Sequence, residues 1–322
     1  MTVEIIAEIG INHQCNFEIG RDLIIAAKEA GATAVKFQAS VPELETSGRE
    51  APEHLAMIKS LVPTRDMLLS WLAVAREAQI EWLCTPAEES SLVWLVDVAR
   101  VKRIKVASDN LTNLPFLEAV ARTELPVILS TGMGTFAEIQ EAVDILDCGG
   151  DLTLLHCTSA YPCPIVDANL LMIHELMDDF GYRVGWSDHT TNLLLPAVAA
   201  GMGAVMIEKH ITFDKSARGP DHAASITSDE FAQMVRNIRE AEAAMMATDI
   251  RRPWPCERAS FRTSRKSLVA ARPIGEGQII TEDMIAIKRP GTGVPASALD
   301  EMLGEVADRD YEVDQFLRFP GQ

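Results

Sequence analysis

Two histidines that end neighbouring apolar runs carry the clearest chemistry in the sequence. His189 follows the run 184–188, His210 follows the run 205–209, and a stretch of one short helix, 193–201, separates them. Consecutive parallel strands joined by a helix place their carboxyl ends side by side. We therefore expect both imidazoles to meet at one rim, within reach of a single divalent cation. Two unrelated histidines in separate pockets are the alternative, and the shared strand-end position argues against it.

Two neutral imidazoles and water molecules suit Mn²⁺, Zn²⁺ or a similar ion. With only two protein ligands, coordination positions stay open for substrate oxygens, so the ion would act as a Lewis acid on a carbonyl group. Two acidic residues, Asp188 and Glu208, flank the histidines. We expect both to face away from the site by strand alternation and to have structural roles.

Two lysines interrupt apolar strand-like runs, Lys36 in the second run and Lys105 in the fourth. An ammonium group inside a barrel is costly unless it meets an anion. With the hydroxyl groups of nearby strand ends, the lysines would form a cationic cup for a phosphate and a carboxylate. These hydroxyl groups belong to Thr85, Ser108 and Ser187. The alternative is that the lysines point outward between helices.

Glu8 lies inside the first apolar run. A carboxylate at this position is either the structural partner of a lysine or a catalytic acid or base. Its position in the sequence favours neither reading.

Strand-like and helix-like segments alternate through the first 250 residues. The apolar β-branched runs number eight, at 4–12, 34–38, 81–85, 103–108, 126–132, 152–158, 183–188 and 204–211. Amphipathic stretches of helical period lie between them, at 21–30, 66–79, 89–98, 113–122, 135–146, 167–179 and 228–246. This alternation predicts a (β/α)8 barrel, whose chemistry lies at the carboxyl ends of its strands. An open doubly wound sheet is the second choice, but residues 9–12 lack its glycine-rich turn.

The periodicity ends after residue 246. We predict a barrel domain at 1–250, a proline-containing linker at 251–263 and a small compact domain at 264–322. About 60 residues make a small core, so we expect the last domain to dock onto another surface.

Composition limits the classes of partner. The net charge of −18 argues against nucleic acid and anionic membranes. No apolar run approaches the roughly 20 residues of a membrane span, and no basic leader precedes the first strand. Six cysteines without CxxC spacing indicate reduced thiols and a cytoplasmic protein. An anionic small substrate is compatible with this charge where local cations override it.

Short strings along the whole chain resemble the sialic acid synthases, which include N-acetylneuraminate, legionaminic acid, pseudaminic acid and 9-phosphate synthases. These strings are 7–13 (AEIGINH), 35–38 (VKFQ), 128–133 (ILSTGM), 155–162 (LHCTSAYP), 187–190 (SDHT), 207–210 (IEKH) and 219–222 (GPDH). Residues 265–270 (RKSLVA) and 288–291 (KRPG) resemble the C-terminal antifreeze-like (SAF) domain of that family.

The resemblance implies condensation of phosphoenolpyruvate with an N-acetylmannosamine-type sugar, giving a nonulosonic acid and phosphate. It implies that His189 and His210 bind the metal, with Mn²⁺ expected and Mg²⁺ or Co²⁺ as alternatives, and that Glu8 directs water or moves its proton. The implied phosphoenolpyruvate ligands are Lys36, Thr85, Lys105, Ser108, Ser159 and Ser187. The implied sugar ligands are Gln38, Asn110, Tyr161 and Asp221, with Arg289 reaching the N-acyl group from the other subunit of a domain-swapped homodimer.

Some positions depart from this pattern. Asn110 is a neutral amide where N-acetylneuraminate synthases often carry an acidic residue, and the segment between Gln38 and Arg65 is shorter than in many relatives and could reshape the pocket mouth. A 3-deoxy-aldulosonate phosphate synthase acting on a phosphosugar is the main alternative, with Arg218 as the one evident phosphate ligand. A carbohydrate-binding protein without activity is the third reading, disfavoured by the complete set of polar strand ends.

Overall fold

The computed structural model describes residues 2–147, 151–245 and 253–321. The chain divides into two compact units, Met1–Met246 and Ala247–Gln322. Among the described residues, none of the helices combines the length and the apolar composition that crossing a bilayer requires. The end of the predicted helix 228–246, the predicted domain boundary at 250 and the first two residues of the predicted linker lie outside the described residues.

The first unit contains eight parallel strands in the order β3-β2-β1-β8-β7-β6-β5-β4, and β3 and β4 at the ends of this order are in contact. The predicted (β/α)8 barrel is therefore confirmed as a nearly closed barrel. The eight strands are β1 (Glu4–Gly10), β2 (Ala34–Ala39), β3 (Glu81–Pro86), β4 (Ile104–Val106), β5 (Val127–Ser130), β6 (Leu152–Cys157), β7 (Arg183–Asp188) and β8 (Met206–Thr212). A short ninth strand, β9 (Ile226–Thr227), pairs with β8.

Helices follow most of the strands and cover the barrel with apolar faces. Their starts show ordinary capping: Asn16 and Thr64 accept hydrogen bonds from the first backbone N–H groups of two helices, and Thr135 and Thr227 form capping boxes. The helices of this unit are α1 (Phe17–Glu29), α2 (Pro42–Glu45), α3 (Pro52–Leu61), α4 (Arg65–Glu77), α5 (Glu89–Trp94), α6 (Leu114–Ala121), α7 (Phe136–Leu146), α8 (Met172–Phe180), α9 (Leu195–Gly201) and α10 (Ser228–Ala244).

The barrel interior is built in layers because alternate residues of each strand point inward. One layer is apolar and fully packed, and it consists of Ile6, Ala34, Leu83, Ile128, Leu155 and Met206. Glu4 and Glu81 lie two residues before Ile6 and Leu83, and both form ion pairs with Arg103, which directly precedes β4; the pair with Glu81 is at 2.7 Å. These two layers close the amino-terminal end of the barrel, so a cavity can open only at the carboxyl ends of the strands.

The second unit has its own small core. Strands β10 (Ser267–Ala270) and β11 (Ile285–Lys288) pair antiparallel, and helices α11 (Arg258–Ser264) and α12 (Leu299–Met302) complete the regular elements. The core side chains include Leu268, Ile280, Met302 and Leu317. A helix, α11, therefore occupies much of the segment expected to be a linker.

Candidate active site

A layer of polar side chains lies directly above the apolar layer of the barrel. Each member is two residues further along its strand than an apolar residue of that layer, so it also points inward. The members are Glu8, Lys36, Thr85, Ser130, Cys157 and Glu208, and all of them line one cavity of about 450 Å³. The apolar layer is therefore followed directly by a polar layer, two residues further along each strand.

Two buried lysines share one buried carboxylate at this floor. Lys36 Nζ lies 3.0 Å from Glu208 Oε2, and Lys105 Nζ lies 4.0 Å from Glu208 Oε1. Ser187 Oγ donates a hydrogen bond of 2.9 Å to Glu208 Oε1. Both lysines therefore point inward, and the outward alternative is wrong for each of them.

The position of Glu208 corrects one expectation from the sequence. We expected Glu208 to face away from the site, but it lines the cavity together with His210. The reason is elementary, because residues two positions apart on a strand share a face. Asp188, which directly precedes His189, does face away and pairs with Lys209.

The electrostatic environments of the two lysines differ. Burial by itself would lower the pKa of Lys36, but the carboxylates of Glu208 and Glu8 outweigh burial and raise it, so this ammonium stays charged. Burial lowers the pKa of Lys105 to about 8, the attraction of Glu208 offsets part of that effect, and the charge of Lys36 adds to the lowering. Lys105 is thus an ammonium group whose charge is incompletely compensated, a state that a bound anion would relieve.

Glu8 lies beside Lys36 on the same floor. Its Oε2 is 3.5 Å from Lys36 Nζ, and Gln38 Nε2 donates a hydrogen bond of 3.0 Å to its Oε1. Burial raises the pKa of Glu8 to about 7, although Lys36 and the hydrogen bond from Gln38 act in the opposite direction. A carboxyl group poised near neutrality can both accept and return a proton.

Hydroxyl groups and a glycine form a close-fitting corner next to Lys105. Lys105 Nζ donates to Ser130 Oγ at 2.7 Å, and Gly132 N donates to Ser108 Oγ at 3.1 Å. A Cβ atom at Gly132 would lie 2.4 Å from Ser159 Oγ and 2.8 Å from Ser108 Oγ. The absent side chain therefore keeps open a space bounded by hydroxyl groups, a backbone N–H and an ammonium group.

His189 and His210 lie at the same rim, with ring centroids 5.5 Å apart. Imidazoles that bind one ion through nitrogens about 2.1 Å from it place their centroids roughly 5 to 6 Å apart. His189 Nδ1 lies 2.9 Å from the carbonyl oxygen of Thr158, which fixes the proton on Nδ1 and leaves Nε2 available as a ligand. Tyr161 packs over His189 with a centroid separation of 4.1 Å.

His210 has the properties of an available metal ligand. Burial lowers its pKa well below the usual value, so the ring is neutral. Its Nδ1 is buried and has no hydrogen-bond partner among the described residues, and the nearest acidic atom, Asp221 Oδ2, is 3.5 Å away. Within the described ranges, no cluster of three or more histidine, cysteine or acidic side chains could hold a metal. An ion held by the two histidines alone would keep most of its coordination positions for water and substrate.

A buried ion pair stands behind the two histidines. Asp188 and Lys209 are register partners on β7 and β8, and each directly precedes one histidine. Their side chains pair outside the barrel interior, with both fully buried. The pair joins the two strand ends at the level where the histidines enter the cavity.

Eleven of the fourteen expected site residues line the cavity. The other three are Asn110, Asp221 and Arg289. Asn110 is buried; its Nδ2 donates to the carbonyl oxygen of Ala87, which follows β3, and its Oδ1 accepts from Asn113 Nδ2. Asp221 lies beside the rim, with its Oδ2 3.5 Å from His210 Nδ1, and burial raises the pKa of Asp221 to about 6. Arg289 is exposed on the second unit.

The cavity also contains residues that the sequence did not reveal as part of the site. On the strands these are Glu208 and Cys157, and strand parity could have revealed both; Ser40, Glu45 and Asp109 line the cavity from outside the strands. The apolar ones come mainly from α3 and the residues after it, namely Met57, Ile58, Leu61, Val62 and Pro63. Nothing in the strand pattern pointed to these, because the segment 39–64 gave no strong periodicity.

Both parts of the chain are similar to known protein families. Residues 23–249 match the NeuB family, and residues 265–320 match the SAF domain. The chain is 37% identical to N,N'-diacetyllegionaminic acid synthase of Legionella pneumophila, over 94% of this chain and 90% of that protein. It is 33% identical to human N-acetylneuraminate-9-phosphate synthase, over 88% of this chain and 82% of that protein.

Among solved structures, the N-acetylneuraminic acid synthetase of Leptospira borgpetersenii superposes with a TM-score of 0.75 and 31% identity. The superposition covers 81% of this chain and 90% of that one.

Proposed function

The chain belongs to the NeuB family and carries a SAF domain, and from this premise we propose that it condenses phosphoenolpyruvate with N-acetylmannosamine or a related 2-acetamido sugar. The products would be N-acetylneuraminate, or a related sialic-type acid, and phosphate. The observation that carries the proposal is the cavity floor, where two buried ammonium groups share one carboxylate opposite two histidines. A phosphorylated enol carboxylate carries negative charge that these two ammonium groups would bind.

Phosphoenolpyruvate would occupy the corner around Lys105. Lys105, Ser108 and Ser159 offer charge and hydrogen bonds to a phosphate, and the backbone N–H of Gly132 holds the hydroxyl group of Ser108 in place. Thr85 Oγ1 is buried and has no hydrogen-bond partner among the described residues, as expected for a hydroxyl group that serves a ligand. In this placement Lys36 and Ser187, which both contact Glu208, would be the remaining ligands of phosphoenolpyruvate.

The protein's part in the reaction would be placement and proton transfer. C3 of phosphoenolpyruvate would attack the open-chain aldehyde, whose oxygen takes up a proton to become a hydroxyl group. Water would add to the cationic C2 and lose a proton, and phosphate would leave as the bond between C2 and its oxygen breaks. Glu8, with its pKa near neutrality, would orient the water and take its proton. Gln38 fixes the carboxylate of Glu8 and, with Tyr161, would contact the sugar. A divalent cation held by His189 and His210, Mn²⁺ in our proposal, would supply Lewis-acid polarisation of the aldehyde oxygen.

We propose a domain-swapped homodimer in which Arg289 of one subunit reaches the N-acyl group of the sugar in the other. Support comes from the match to the SAF domain and from the exposure of Arg289. A cytoplasmic location stays a prediction from cysteine usage.

Phosphate release from phosphoenolpyruvate tests the proposal, with mass spectrometry to identify the acid formed. Turnover with an N-acyl mannosamine should stop on chelation and return with Mn²⁺. His189→Ala and Lys105→Met should lose activity by about 100-fold or more. Two exposed residues outside the cavity provide matched controls, His174→Ala and Lys102→Met, which should keep it. Unchanged turnover in His189→Ala would contradict the proposal.

A further inference from the structure

A chain of buried polar groups joins the connection after β1 to the connection after β8. Asn12 Nδ2 donates a hydrogen bond of 2.9 Å to the carbonyl oxygen of Ile211 and one of 2.8 Å to Ser225 Oγ. Ser225 Oγ donates a hydrogen bond of 2.7 Å to the carbonyl oxygen of Asp221. Asn12 and Ser225 are both buried. The backbone of Asp221 is therefore linked to strand β8 through two side chains.

His222 holds the same turn from its other side. The ring is buried, its Nδ1 lies 2.8 Å from Thr212 Oγ1, and its Nε2 lies 3.2 Å from Gln14 Nε2. Burial lowers the pKa of His222, so the ring is neutral at neutral pH. Because the amide nitrogen of Gln14 can only donate, Nε2 accepts, and Nδ1 carries the proton and donates it to Thr212. The residue after Asp221 is thus fixed both to β8 and to the segment after β1.

The carboxylate held between these anchors lies at the edge of the active site. Asp221 Oδ2 is 3.5 Å from His210 Nδ1. A Cβ atom at Gly10 would lie 3.1 Å from Asp221 Oδ2 and 3.1 Å from Glu8 Oε1. The carboxylate is therefore close both to a rim histidine and to Glu8. The side chains that hold its backbone are not among the described residues that line the cavity, so they act on the site only through Asp221.

We propose that Asn12, Ser225 and His222 are positioning residues that hold the Asp221 carboxylate where it accepts hydrogen bonds from hydroxyl groups of the amino sugar. The proposal rests on the proposed function, in which the sugar aldehyde lies at the ion held by the two rim histidines. Asp221 belongs to a connection, where no strand period sets the direction of a side chain. Buried hydrogen bonds around it fix that direction before the sugar binds, which lowers the cost of ordering on binding.

The experiment measures KM for both substrates in variants of the full-length protein with Mn²⁺. The sugars are N-acetylmannosamine and a 2,4-diacetamido-2,4,6-trideoxyhexose, and KM is compared for the one that the wild type turns over faster. Ser225→Ala removes the hydroxyl group that bonds to Asp221. We expect KM for the sugar to rise by about tenfold and KM for phosphoenolpyruvate to stay unchanged, because only a sugar ligand is displaced. Ser216→Ala is the matched control, since Ser216 lies in the same connection but bonds to Asp214, and it should change neither KM.

A double variant separates positioning from general damage to the fold. Asp221→Ala removes the carboxylate, so adding Ser225→Ala to it should change KM for the sugar by less than about twofold. Damage that spreads beyond Asp221 would instead raise KM by a further factor of about ten. KM does not depend on the amount of folded enzyme, so a partial loss of stability does not affect the comparison.

A second variant pair tests His222 by conservative replacement. His222→Asn keeps a nitrogen donor on Cγ, in the place of Nδ1, and should retain most of the affinity for the sugar. His222→Leu has a similar shape but lacks the donor, and should raise KM for the sugar by about tenfold.

The outcomes distinguish the two proposals. Absence of phosphate release by the wild type with both sugars would refute the proposed function, and this inference with it. With an active wild type, an unchanged KM for the sugar in Ser225→Ala would overturn the inference and leave the synthase activity standing. A tenfold effect that persists in the Asp221→Ala background would do the same. Equal KM values in His222→Asn and His222→Leu would contradict the role of His222.

Discussion

Asp188 Oδ2 lies 2.5 Å from Lys209 Nζ, and neither side chain has any solvent exposure. The two residues are register partners that immediately precede His189 and His210. The ion pair therefore ties together the two strand ends that present the imidazoles. Because the pair is buried, its loss should lower the stability of the protein and change the positions of His189 and His210.

Breaking this pair should cost more than removing it whole. Lys209→Met leaves a buried carboxylate without its partner and should lower the free energy of unfolding by about 3 to 5 kcal/mol. The double variant Asp188→Leu with Lys209→Met should recover much of that loss, because no buried charge remains. Chemical denaturation measures both. Losses that simply add in the double variant would show that the two residues act independently.

The charge on Lys105 predicts a basic limb in the pH profile. Burial lowers the pKa of this group to about 8, so its charge is present below that pH and is lost as the pH rises through it. We expect kcat/KM for phosphoenolpyruvate to fall above about pH 8. Lys105→Arg should remove this limb, because a guanidinium stays charged there. A limb that persists in Lys105→Arg would assign the titration to another group.

Glu8 predicts an acid limb. Its pKa is raised to about 7, so the ionised form that accepts a proton disappears as the pH falls below that value. The hydrogen bond from Gln38 stabilises the carboxylate, and Gln38→Leu should therefore move the limb to higher pH. The position of the limb in kcat/KM, rather than its height, is the measurement. A limb that stays in place would show that Glu8 does not control it.

Gly132 should be intolerant of any side chain. Gly132→Ala would place a Cβ atom within 2.4 Å of Ser159 Oγ, inside the corner assigned to phosphoenolpyruvate. We expect KM for phosphoenolpyruvate to rise by about tenfold or more, since a small misplacement of binding groups is costly. Gly201→Ala is the matched control, because a Cβ there meets nothing within 4 Å. Equal KM values in the two variants would argue against the assigned corner.

Subunit complementation should reveal the swapped dimer. His189→Ala and Arg289→Ala would each be inactive or impaired alone, but a mixed dimer would combine one intact barrel with the intact Arg289 of its partner chain. Equal mixing with full exchange gives about a quarter of the wild-type sites, because half of the dimers are mixed and each has one complete site. The readout is phosphate release before and after exchange. If activity never exceeds the mean of the separate variants, Arg289 does not act across subunits.

Much of the site could be anticipated from the sequence alone. The inward direction of Lys36 and Lys105 is favoured because a buried ammonium group needs an anion, and the meeting of His189 with His210 follows from a short crossover between parallel strands. Strand parity, applied correctly, would also have placed Glu208 in the cavity. Glu208 lies two residues before His210 and therefore on the same face of β8.

Other features had no comparable local signal. Helix α3 has no buried residues and lies in a segment without strong periodicity, so its role appears only when the cavity beside it is seen. Asn110 carries the polarity of a ligand, yet its amide group is hydrogen-bonded to Ala87 and Asn113. Loop side chains follow no fixed period, so their direction cannot be inferred from spacing.

The sequence by itself determined the barrel, its polar strand ends and the pair of histidines, because these depend on periods of two and 3.6 residues that are local to each element. Only the tertiary structure decided that Glu208 is shared between two lysines, that Gly132 keeps the hydroxyl corner open and that α3 supplies an apolar wall. These are distances between separate elements. These distances depend on the stagger of the barrel strands around the axis and on the path of the segment 39–64 beside the cavity. No local period of the sequence encodes either.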